Sequence, residues 1–354
     1  MSDFYSMLIA TEKRPHADRE RIQLQALPPQ IKLAQQKSAA FAEILAGLDA
    51  SAVTSRAALA QLPVTRKTEL LDRQKAARTA SENSQHANVF GGFSSITFGA
   101  AMPRVFASPG TIYEPEGRQL DYWRSARALA AAGFTAGDLI HNSFSYHFTP
   151  AGAMMESGAH ALGCTVFPAG TGQTEQQVQA MAELKPAGYI GTPSFLKIIL
   201  EKAADMGVAL PSVTKALVSG EACPPSLRDW FAERGVTAYQ CYATADLGLI
   251  AYETSAREGL VIDEGVIVEI VTPGTGDPVA EGEVGELVVT TFNTDYPLIR
   301  FGTGDLSAVL TGNCPTGRTN TRIKGWMGRA DQTVKIRGMF VHPEIGRASC
   351  RERV

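Results

Sequence analysis

The sequence has no apolar run long enough to cross a membrane, no secretory signal at its start and no block of basic residues. A membrane-spanning helix needs about 20 apolar residues in a row, and a nucleic-acid surface needs clustered Lys and Arg. Here 33 Lys and Arg stand against 36 Asp and Glu, so the formal net charge is −3. We therefore expect a cytoplasmic protein that binds neither membranes nor nucleic acid.

Cysteine pairs and two common catalytic motifs are missing as well. The five cysteines are dispersed, without any Cys-x-x-Cys pair, at Cys164, Cys223, Cys241, Cys314 and Cys350. An odd, dispersed set fits a reducing compartment and argues against a disulfide framework or a zinc site. The absence of a Gly-x-Ser-x-Gly elbow argues against a serine hydrolase. The absence of Gly-x-Gly-x-x-Gly after a strand argues against a dinucleotide-binding fold.

What the chain does contain is a change of pattern along its length. The 354 residues, 44% of them hydrophobic, suffice for about two domains. Residues 1 to about 70 have helical periodicity. From residue 104 short apolar runs alternate with helical stretches, which predicts an α/β fold with a parallel sheet. After residue 260 the runs 266–271 and 285–290 follow one another without a helix, which predicts a smaller β-rich part.

Two local patterns predict helical segments. Apolar side chains at Leu120, Trp123, Ala126 and Ala130 recur at helical spacing and predict a helical stretch that includes them. Thr174 with Gln177 three residues later fits a capping box, in which the two side chains close the first turn of a helix.

The stretch 296–338 combines an apolar strand, an acid flanked by glycines and a Gly-Arg-x-Asp turn. Asp305 follows Gly302 and Gly304, and glycines permit close approach of the backbone to a ligand. A carboxylate at a strand end can accept hydrogen bonds from two neighbouring hydroxyls, as on a ribose. Arg329 can offer its planar fork of donors to ribose or phosphate oxygens. The alternative is a β-hairpin in which both residues only serve the turn.

Together these two segments resemble adjacent motifs of the adenylate-forming enzymes, the acyl-CoA synthetase superfamily, and most of all its phenylacetate–CoA ligase branch. The resemblance implies that Asp305 binds the ribose of ATP and that Arg329 contacts the nucleotide and takes part in catalysis. It also implies that Asp331 and Gln332 form the hinge to a mobile C-terminal lid, although the family often has a second acid where Gln332 stands.

The segment 219–225, Ser-Gly-Glu-Ala-Cys-Pro-Pro, follows a buried strand and precedes a helix. Ligands of open α/β sheets sit beyond the carboxyl ends of strands. On spacing alone, an ordinary strand-to-helix turn is the somewhat better explanation of the segment. Its resemblance to the family's Gly-Glu-Ala segment implies that Gly220, Glu221 and Ala222 lie against adenine.

Residues 240–248 resemble the family's Tyr-Gly-x-Thr/Ser-Glu motif. The resemblance implies that Tyr242 flanks adenine and that Thr244 supplies a displaced hydroxyl, because Ala245 stands at the usual hydroxyl position. Asp246 replaces the Glu that holds Mg²⁺, and its carboxylate is a competent hard ligand for that ion. We assign Asp246 to metal binding and catalysis, with a turn-capping Asp as the alternative.

Residues 107–117 occupy the place of the family's phosphate loop. The resemblance implies that Ser108, Gly110 and Thr111 contact the phosphates. The loop lacks the usual Lys and carries Glu114 and Glu116 instead. Carboxylates close to a polyphosphate are unfavourable unless a cation intervenes, so this segment departs furthest from the family pattern.

The region 142–175 resembles the family's acyl pocket. Phe144, Tyr146, His147 and Phe148 offer an aromatic, partly polar wall that would suit an aryl-acetate-like acid. Ordinary core packing is the alternative for all four residues.

These interpretations define an expected domain organisation. We expect a helical N-terminal segment at 1–80 and the large domain of adenylate-forming enzymes at 81–330, divided into an α/β part to about 258 and a β-rich part at 259–330. Residues 331–343 would form the hinge and the start of a lid. The tail 344–354 resembles translated adapter sequence, and we expect the native chain to have continued into a lid that this chain lacks.

The function that the resemblance implies is AMP-forming ligation of a carboxylic acid to coenzyme A, with ATP and Mg²⁺ and with a small aromatic or other acid as substrate. A homodimer is one option for its assembly. The rival interpretation is a non-catalytic or ATP-independent acyl-binding relative, similar to an acyl-protein synthetase subunit, and the missing loop lysine favours it.

Overall fold

The computed structural model describes residues 3–80, 89–330, 334–336 and 339–341. The helices are α1 Asp3–Glu12, α2 His16–Lys37, α3 Ala39–Ile44, α4 Arg56–Leu59, α5 Lys67–Ala80, α6 Ala126–Ala131, α7 Ala151–Ala161, α8 Thr174–Leu184, α9 Pro193–Asp205 and α10 Pro225–Ala232. The strands are β1 Thr65–Arg66, β2 Arg104–Ser108, β3 Ile112–Glu116, β4 Leu139–Asn142, β5 Thr165–Pro168, β6 Gly188–Gly191, β7 Lys215–Val218, β8 Thr237–Thr244, β9 Gly248–Tyr252, β10 Leu260–Ile262, β11 Val266–Val271, β12 Gly285–Thr291, β13 Phe301–Ser307, β14 Val309–Leu310, β15 Arg322–Ile323, β16 Val334–Ile336 and β17 Met339–Val341. No helix among the described residues is long and apolar enough to span a membrane.

A nine-stranded sheet forms the centre, in the order β14-β15-β10-β9-β8-β7-β6-β4-β5. Its strands from β4 to β8 run parallel, and helices alternate with them along the chain. The predicted α/β architecture with a parallel sheet is therefore confirmed. The carboxyl ends of β4, β6, β7 and β8 meet at one edge of this sheet, where an open α/β fold binds its ligands.

A second sheet has the order β1-β13-β12-β11. Its β1 comes from the helical N-terminal part and runs parallel to β13, with Thr65 opposite Phe301 and Arg66 opposite Gly302. The N-terminal part thereby completes the sheet that carries Asp305. The domain boundaries predicted from the sequence stay predictions; β10, β14 and β15 of the proposed β-rich part belong to the nine-stranded sheet.

Polar contacts anchor the N-terminal helices to the rest of the chain. The Arg19 guanidinium donates to Glu264 and Thr319, both at 2.8 Å. The hydroxyl of Tyr252 donates to Glu12 at 2.7 Å, and Glu12 also pairs with Arg318 at 2.7 Å. These side chains are buried or partly buried, so the pairs fix how the helices sit on the core.

The helical stretch predicted over residues 120–130 is confirmed only in its second half, because α6 begins at Ala126. Asp121 and Arg124 both have positive φ angles, 53° and 64°, which no helix accommodates. The Asp121 carboxylate accepts a hydrogen bond from the Ala126 backbone N–H at 3.0 Å. Two left-handed residues thus form a compact turn where the apolar spacing predicted helix, and Leu120 is exposed.

The predicted capping box at Thr174 and Gln177 is wrong. Gln173 precedes the helix in a left-handed conformation and makes no side-chain cap. Gln177 is buried: its amide nitrogen donates to the carbonyls of Gly170 and Gly172, both at 2.8 Å, and its amide oxygen accepts a bond from the Ser143 hydroxyl at 2.7 Å. The Gln177 side chain, which the local pattern assigned to a cap, is therefore engaged in a contact with Ser143, 34 residues earlier in the chain.

Arg300 is a fully buried side chain that joins three parts of the chain. Its guanidinium pairs with Glu269 at 3.0 Å and donates to the carbonyls of Ala60, Leu62 and Gly276. Arg300 directly precedes β13, so its contacts fix the start of the strand that ends near Asp305.

We predict that Arg300→Met lowers the free energy of unfolding by about 3–5 kcal/mol, because it leaves the buried Glu269 carboxylate without its partner. Arg21→Met is the matched control: Arg21 and its partner Asp18 are more than half exposed, and such pairs contribute at most about 1 kcal/mol. Urea denaturation followed by circular dichroism measures both. Equal destabilisation by the two substitutions would contradict this role of Arg300.

Candidate active site

A cavity of about 660 Å³ lies beyond the carboxyl end of β7 and along β8. The loop after β7 contributes one wall, β8 the floor, and the segment after β15 the opposite wall. The lining residues are Ser219, Gly220, Glu221, Ala222, Pro225, Arg228, Gln240, Cys241, Tyr242, Ala243, Thr244, Glu253, Arg257, Gly259, Leu260, Asp305, Lys324, Gly325 and Trp326. Six residues that the sequence predicted for nucleotide binding therefore line one cavity: Gly220, Glu221, Ala222, Tyr242, Thr244 and Asp305.

Asp305, which lines this cavity, accepts hydrogen bonds from three side chains. The Tyr242 hydroxyl donates to one carboxylate oxygen at 2.7 Å. The Trp326 indole N–H and the Arg329 guanidinium donate to the other oxygen, at 3.1 and 3.0 Å. Burial, and then the negative charge of Asp305, hold the pKa of Tyr242 well above its usual value, so this phenol stays a neutral donor.

Gly304 allows this cluster to form. It has a φ of 73°, and a Cβ at this position would come within 2.6 Å of the Arg329 guanidinium. Arg329 also donates to the Thr303 carbonyl at 3.2 Å. The sequence predicted that glycine allows close approach here, and the group that approaches is an arginine of the chain itself.

The segment after β7 is an ordered turn with an exposed rim. Gly220 has a φ of 81°, Glu221 and Ala222 are exposed, and the Ser219 hydroxyl donates to the Cys241 carbonyl at 2.8 Å. The backbone N–H of Cys223 donates to the Gln240 side chain at 3.0 Å. These bonds join the turn to β8, so the backbone on one side of the cavity and Tyr242 on β8 are held at a fixed distance.

Asp246 lies outside the cavity lining, in the turn between β8 and β9. The Lys67 ammonium pairs with one of its oxygens at 3.1 Å, and the Asp246 side chain is almost fully buried while that of Lys67 is 40% exposed. Lys67 is the first residue of α5, directly after β1. The pairing of β1 with β13 therefore brings a cation from the N-terminal segment to Asp246, which sequence reasoning missed.

Glu114 lies against Asp246 and is buried. One of its oxygens accepts a hydrogen bond from the Ser108 hydroxyl at 2.6 Å. Burial and the charge of Asp246 raise the pKa of Glu114 to about 9. Ser108, predicted to bind phosphate, is therefore engaged with a neighbouring carboxyl group in this structure.

Three buried oxygens in this region have no hydrogen-bond partner among the described residues: Glu114 Oε2, Asp246 Oδ1 and Tyr296 Oη. The charges of Asp246 and Glu114 both act on the Tyr296 hydroxyl, and burial is the main reason why its pKa is far above the usual value. Buried polar atoms are rarely left unsatisfied, so three of them in one region indicate that something else completes this part of the site.

The predicted phosphate loop is the turn of the hairpin β2–β3. Gly110 and Thr111 at its tip have positive φ angles of 102° and 58° and are exposed. Ser108 pairs with Ile112 in the ladder. Neither tip residue lines the cavity, so the phosphate-binding role of Gly110 and Thr111 stays a prediction.

The four residues assigned to an acyl pocket differ in their exposure. Phe144 is buried, whereas His147 is exposed and Phe148 is 81% exposed. The Tyr146 hydroxyl donates to Glu156 at 2.7 Å and accepts a bond from Asn142 at 2.9 Å. None of the four lines the cavity, and their assignment to the acid stays a prediction. The hinge residues Asp331 and Gln332 lie outside the described residues.

Sequence reasoning missed several charged and aromatic residues of the cavity. Arg228 and Glu253 form a salt bridge on its wall, and the Arg257 guanidinium lies 4.8 Å from the centre of the Tyr239 ring. Lys324 and Trp326 are at the rim, and Trp326 is 54% exposed. The position of Trp326 beside Gly325, within a motif, could have predicted that this side chain lies at the site. Only the folding of the sheet brings the other residues, Arg228, Glu253, Arg257 and Lys324, together at the cavity.

Comparison with known proteins places these features in context. A family model described as "AMP-binding enzyme" matches residues 122–294. The phenylacetate-coenzyme A ligase of Thermus thermophilus is 31% identical over 315 residues, which cover 84% of this chain and 67% of that protein. The phenylacetate-coenzyme A ligase of Escherichia coli is 33% identical over 256 residues, which cover 68% of this chain and 58% of that protein.

Among solved structures, an open conformation of 2-hydroxyisobutyryl-CoA ligase in complex with 2-HIB-AMP and CoA superposes with a TM-score of 0.85. The match covers 96% of this chain and 76% of that chain, at 24% sequence identity. This similarity confirms the predicted fold, that of the large domain of adenylate-forming enzymes.

We predict that Asp305→Asn red-shifts the fluorescence of Trp326 and makes the indole more accessible to acrylamide, because the amide no longer accepts all three donors as a carboxylate does. Trp123 and Trp230 also fluoresce, so the contribution of Trp326 is obtained by subtracting the spectrum of the same protein carrying Trp326→Phe. Asp277→Asn, in an exposed loop, is the charge-matched control. If Asp305→Asn and Asp277→Asn give the same spectrum, the Trp326–Asp305 bond is not present in solution.

Proposed function

Because this chain belongs to the AMP-binding enzymes, among the phenylacetate-coenzyme A ligases, we propose that it carries out AMP-forming ligation of a carboxylic acid to coenzyme A. The chain spans 67% of the Thermus relative and 57–58% of the three others, so the complete reaction is part of this proposal. The observation that carries it is the Asp305 cluster in a cavity flanked by Tyr242 and the Gly220 turn.

In the proposed binding mode, adenine lies between Tyr242 and the backbone at 220–222. The ribose hydroxyls donate to Asp305, which requires the nucleotide to share or replace the donors that this carboxylate now has. Trp326 is half exposed at the rim, so it is free to turn aside when the ribose enters. Arg329 keeps its bonds to the Thr303 carbonyl and to Asp305 and contacts the nucleotide from this position.

The first step would join the acid to the nucleotide. A carboxylate oxygen of the acid attacks the α-phosphorus of ATP, the bond to the bridging oxygen breaks, and pyrophosphate leaves. In the second step the thiolate of coenzyme A attacks the acyl carbon and AMP leaves. The protein's contribution to the first step is to align the reactants and to neutralise charge on the phosphates.

Lys67 is the side chain best placed to supply a fixed positive charge. The hairpin β2–β3 contains no lysine, whereas the Lys67 ammonium is held by Asp246 and is partly exposed. We assign it the neutralising role that the hairpin lacks. Since Thr244 lines the cavity and Asp246 follows it by two residues, the phosphates of a bound ATP would extend towards this pair.

Mg²⁺ fits the donor set next to Lys67, since hard oxygen ligands are what this ion prefers. Asp246 Oδ1 is buried and has no partner among the described residues, so it is free to serve as a ligand. Bound there, the ion would neutralise charge that develops on the leaving pyrophosphate.

An aromatic acid is the substrate class that we propose, in line with the named activity of the relatives. Cytoplasmic location and a homodimer remain parts of the same proposal. A rival function, acyl binding without ATP turnover, is favoured by one observation: Ser108 is bonded to Glu114 instead of facing the cavity.

We predict acid-dependent exchange of pyrophosphate into ATP, measured with phenylacetate and a panel of aryl and short acids. Lys67→Met should lower the exchange rate by about 10- to 100-fold, because a positioned positive charge stabilises the negative charge that develops on the phosphates in the transition state. Lys75→Met, at an exposed position of the same helix, is the matched control and should leave the rate unchanged.

Exchange that does not depend on an acid, or no exchange by the folded chain together with no ATP binding, would overturn the proposed function and favour the acyl-binding rival. An unchanged rate in Lys67→Met would leave the reaction standing and remove Lys67 from it.

A further inference from the structure

The hairpin β2–β3 places a carboxylate where a triphosphate site would need positive charge. Glu114 is 2% exposed and lies against Asp246, whose side chain is also 2% exposed. Two buried carboxylates in contact repel each other strongly unless something lies between them or one is neutral. Lys67 compensates only one of the two charges.

Each of these two carboxylates has a partner at one oxygen only. Ser108 occupies Oε1 of Glu114, and Lys67 occupies Oδ2 of Asp246. Oε2 of Glu114 and Oδ1 of Asp246 are buried and have no partner among the described residues. The Tyr296 hydroxyl is also buried without a partner among the described residues, and its burial together with the negative charges of Asp246 and Glu114 raises its pKa. The unsatisfied atoms are therefore all oxygens, and the two carboxyl groups lie within hydrogen-bond reach of each other.

We propose that Glu114 and Asp246 together hold one divalent cation, so that Glu114 is a second carboxylate ligand which the hairpin supplies in place of a lysine. Oxygen atoms of two carboxylates and a hydroxyl are ligands typical of Mg²⁺ and Mn²⁺. This inference deepens the proposed function and rests on it for the biological identity of the cation.

Charge balance explains why such a replacement suits a phosphate site. With both carboxyl groups ionised, two carboxylates and one ammonium leave one uncompensated negative charge, which would repel a triphosphate. A divalent cation turns that balance into one positive charge. Ser108 then has a structural role, because its hydroxyl fixes Glu114 and leaves the other carboxylate oxygen for the ion.

The alternative is a proton shared between the two carboxyl groups, with Glu114 as a neutral structural acid. Glutamine has the shape of neutral glutamic acid and keeps an oxygen for Ser108, but it is a poor ligand for a divalent cation. Glu114→Gln therefore separates the two explanations without removing the side chain.

The test is binding of MnCl₂ to the complete chain, without nucleotide, followed by the electron paramagnetic resonance signal of free Mn²⁺. We expect one site in the unmodified chain, an affinity at least tenfold weaker in Glu114→Gln, and a similar loss in Asp246→Asn. Glu116→Gln is the matched control: Glu116 is on the same strand, but its carboxylate is bound by Arg104 at 2.7 Å. It should keep the affinity within twofold. Circular dichroism and thermal midpoints confirm that each variant is folded.

Equal Mn²⁺ affinity in the unmodified chain and Glu114→Gln would overturn the inference, and so would the absence of any Mn²⁺ site. If Glu114→Gln does not fold, Glu114→Asp, which shortens the ligand and keeps the charge, must weaken Mn²⁺ binding for the inference to stand. Pyrophosphate exchange on the same proteins separates this result from the proposed function. If the chain catalyses exchange but Glu114→Gln binds Mn²⁺ as tightly as the unmodified chain, only the role of Glu114 as second ligand is refuted. If both carboxylates are needed for Mn²⁺ binding but the chain catalyses no exchange, only the ligase reaction is refuted.

Discussion

The hydrogen bonds to Asp305 are the interaction on which the rest of the site depends. They draw together β8 through Tyr242 and the segment after β15 through Trp326 and Arg329. The carboxylate itself is held by β13, which Arg300 and the parallel partner β1 fix from the other side. A single buried acid thus defines the distance between the two walls of the cavity, and the surrounding fold maintains the position of that acid.

The ribose end and the phosphate end of the proposed nucleotide site differ in how their carboxylates are compensated. At the ribose end, neutral donors and one arginine surround a single carboxylate, and the cavity is already formed. At the phosphate end, Lys67 pairs with Asp246, and Glu114 and Asp246 each keep a buried oxygen without a partner among the described residues. The first end is preorganised for a polar ligand, and we propose that a cation completes the second.

Much of the architecture was predictable from the sequence, because apolar periodicity reports directly on strands and helices. Asp305, Tyr242 and Gly220 were predictable because each belongs to a short motif. Lys67 was not, since it lies 179 residues from Asp246 and reaches it only through the pairing of β1 with β13. The helical stretch predicted over residues 120–130 failed in its first half for a similar reason: Asp121 and Arg124 adopt left-handed conformations that apolar spacing does not reveal.

The measurement that tests the central claim most directly compares the affinities of AMP and 2′,3′-dideoxy-AMP for the chain and for Asp305→Ala, by isothermal titration calorimetry. A hydrogen bond to a charged group contributes about 1.5–3 kcal/mol, so the unmodified chain should bind AMP at least tenfold more tightly than the dideoxy analogue. Asp305→Ala should bind both alike. A variant that still discriminates between them as the unmodified chain does would contradict the assignment of Asp305 to the ribose.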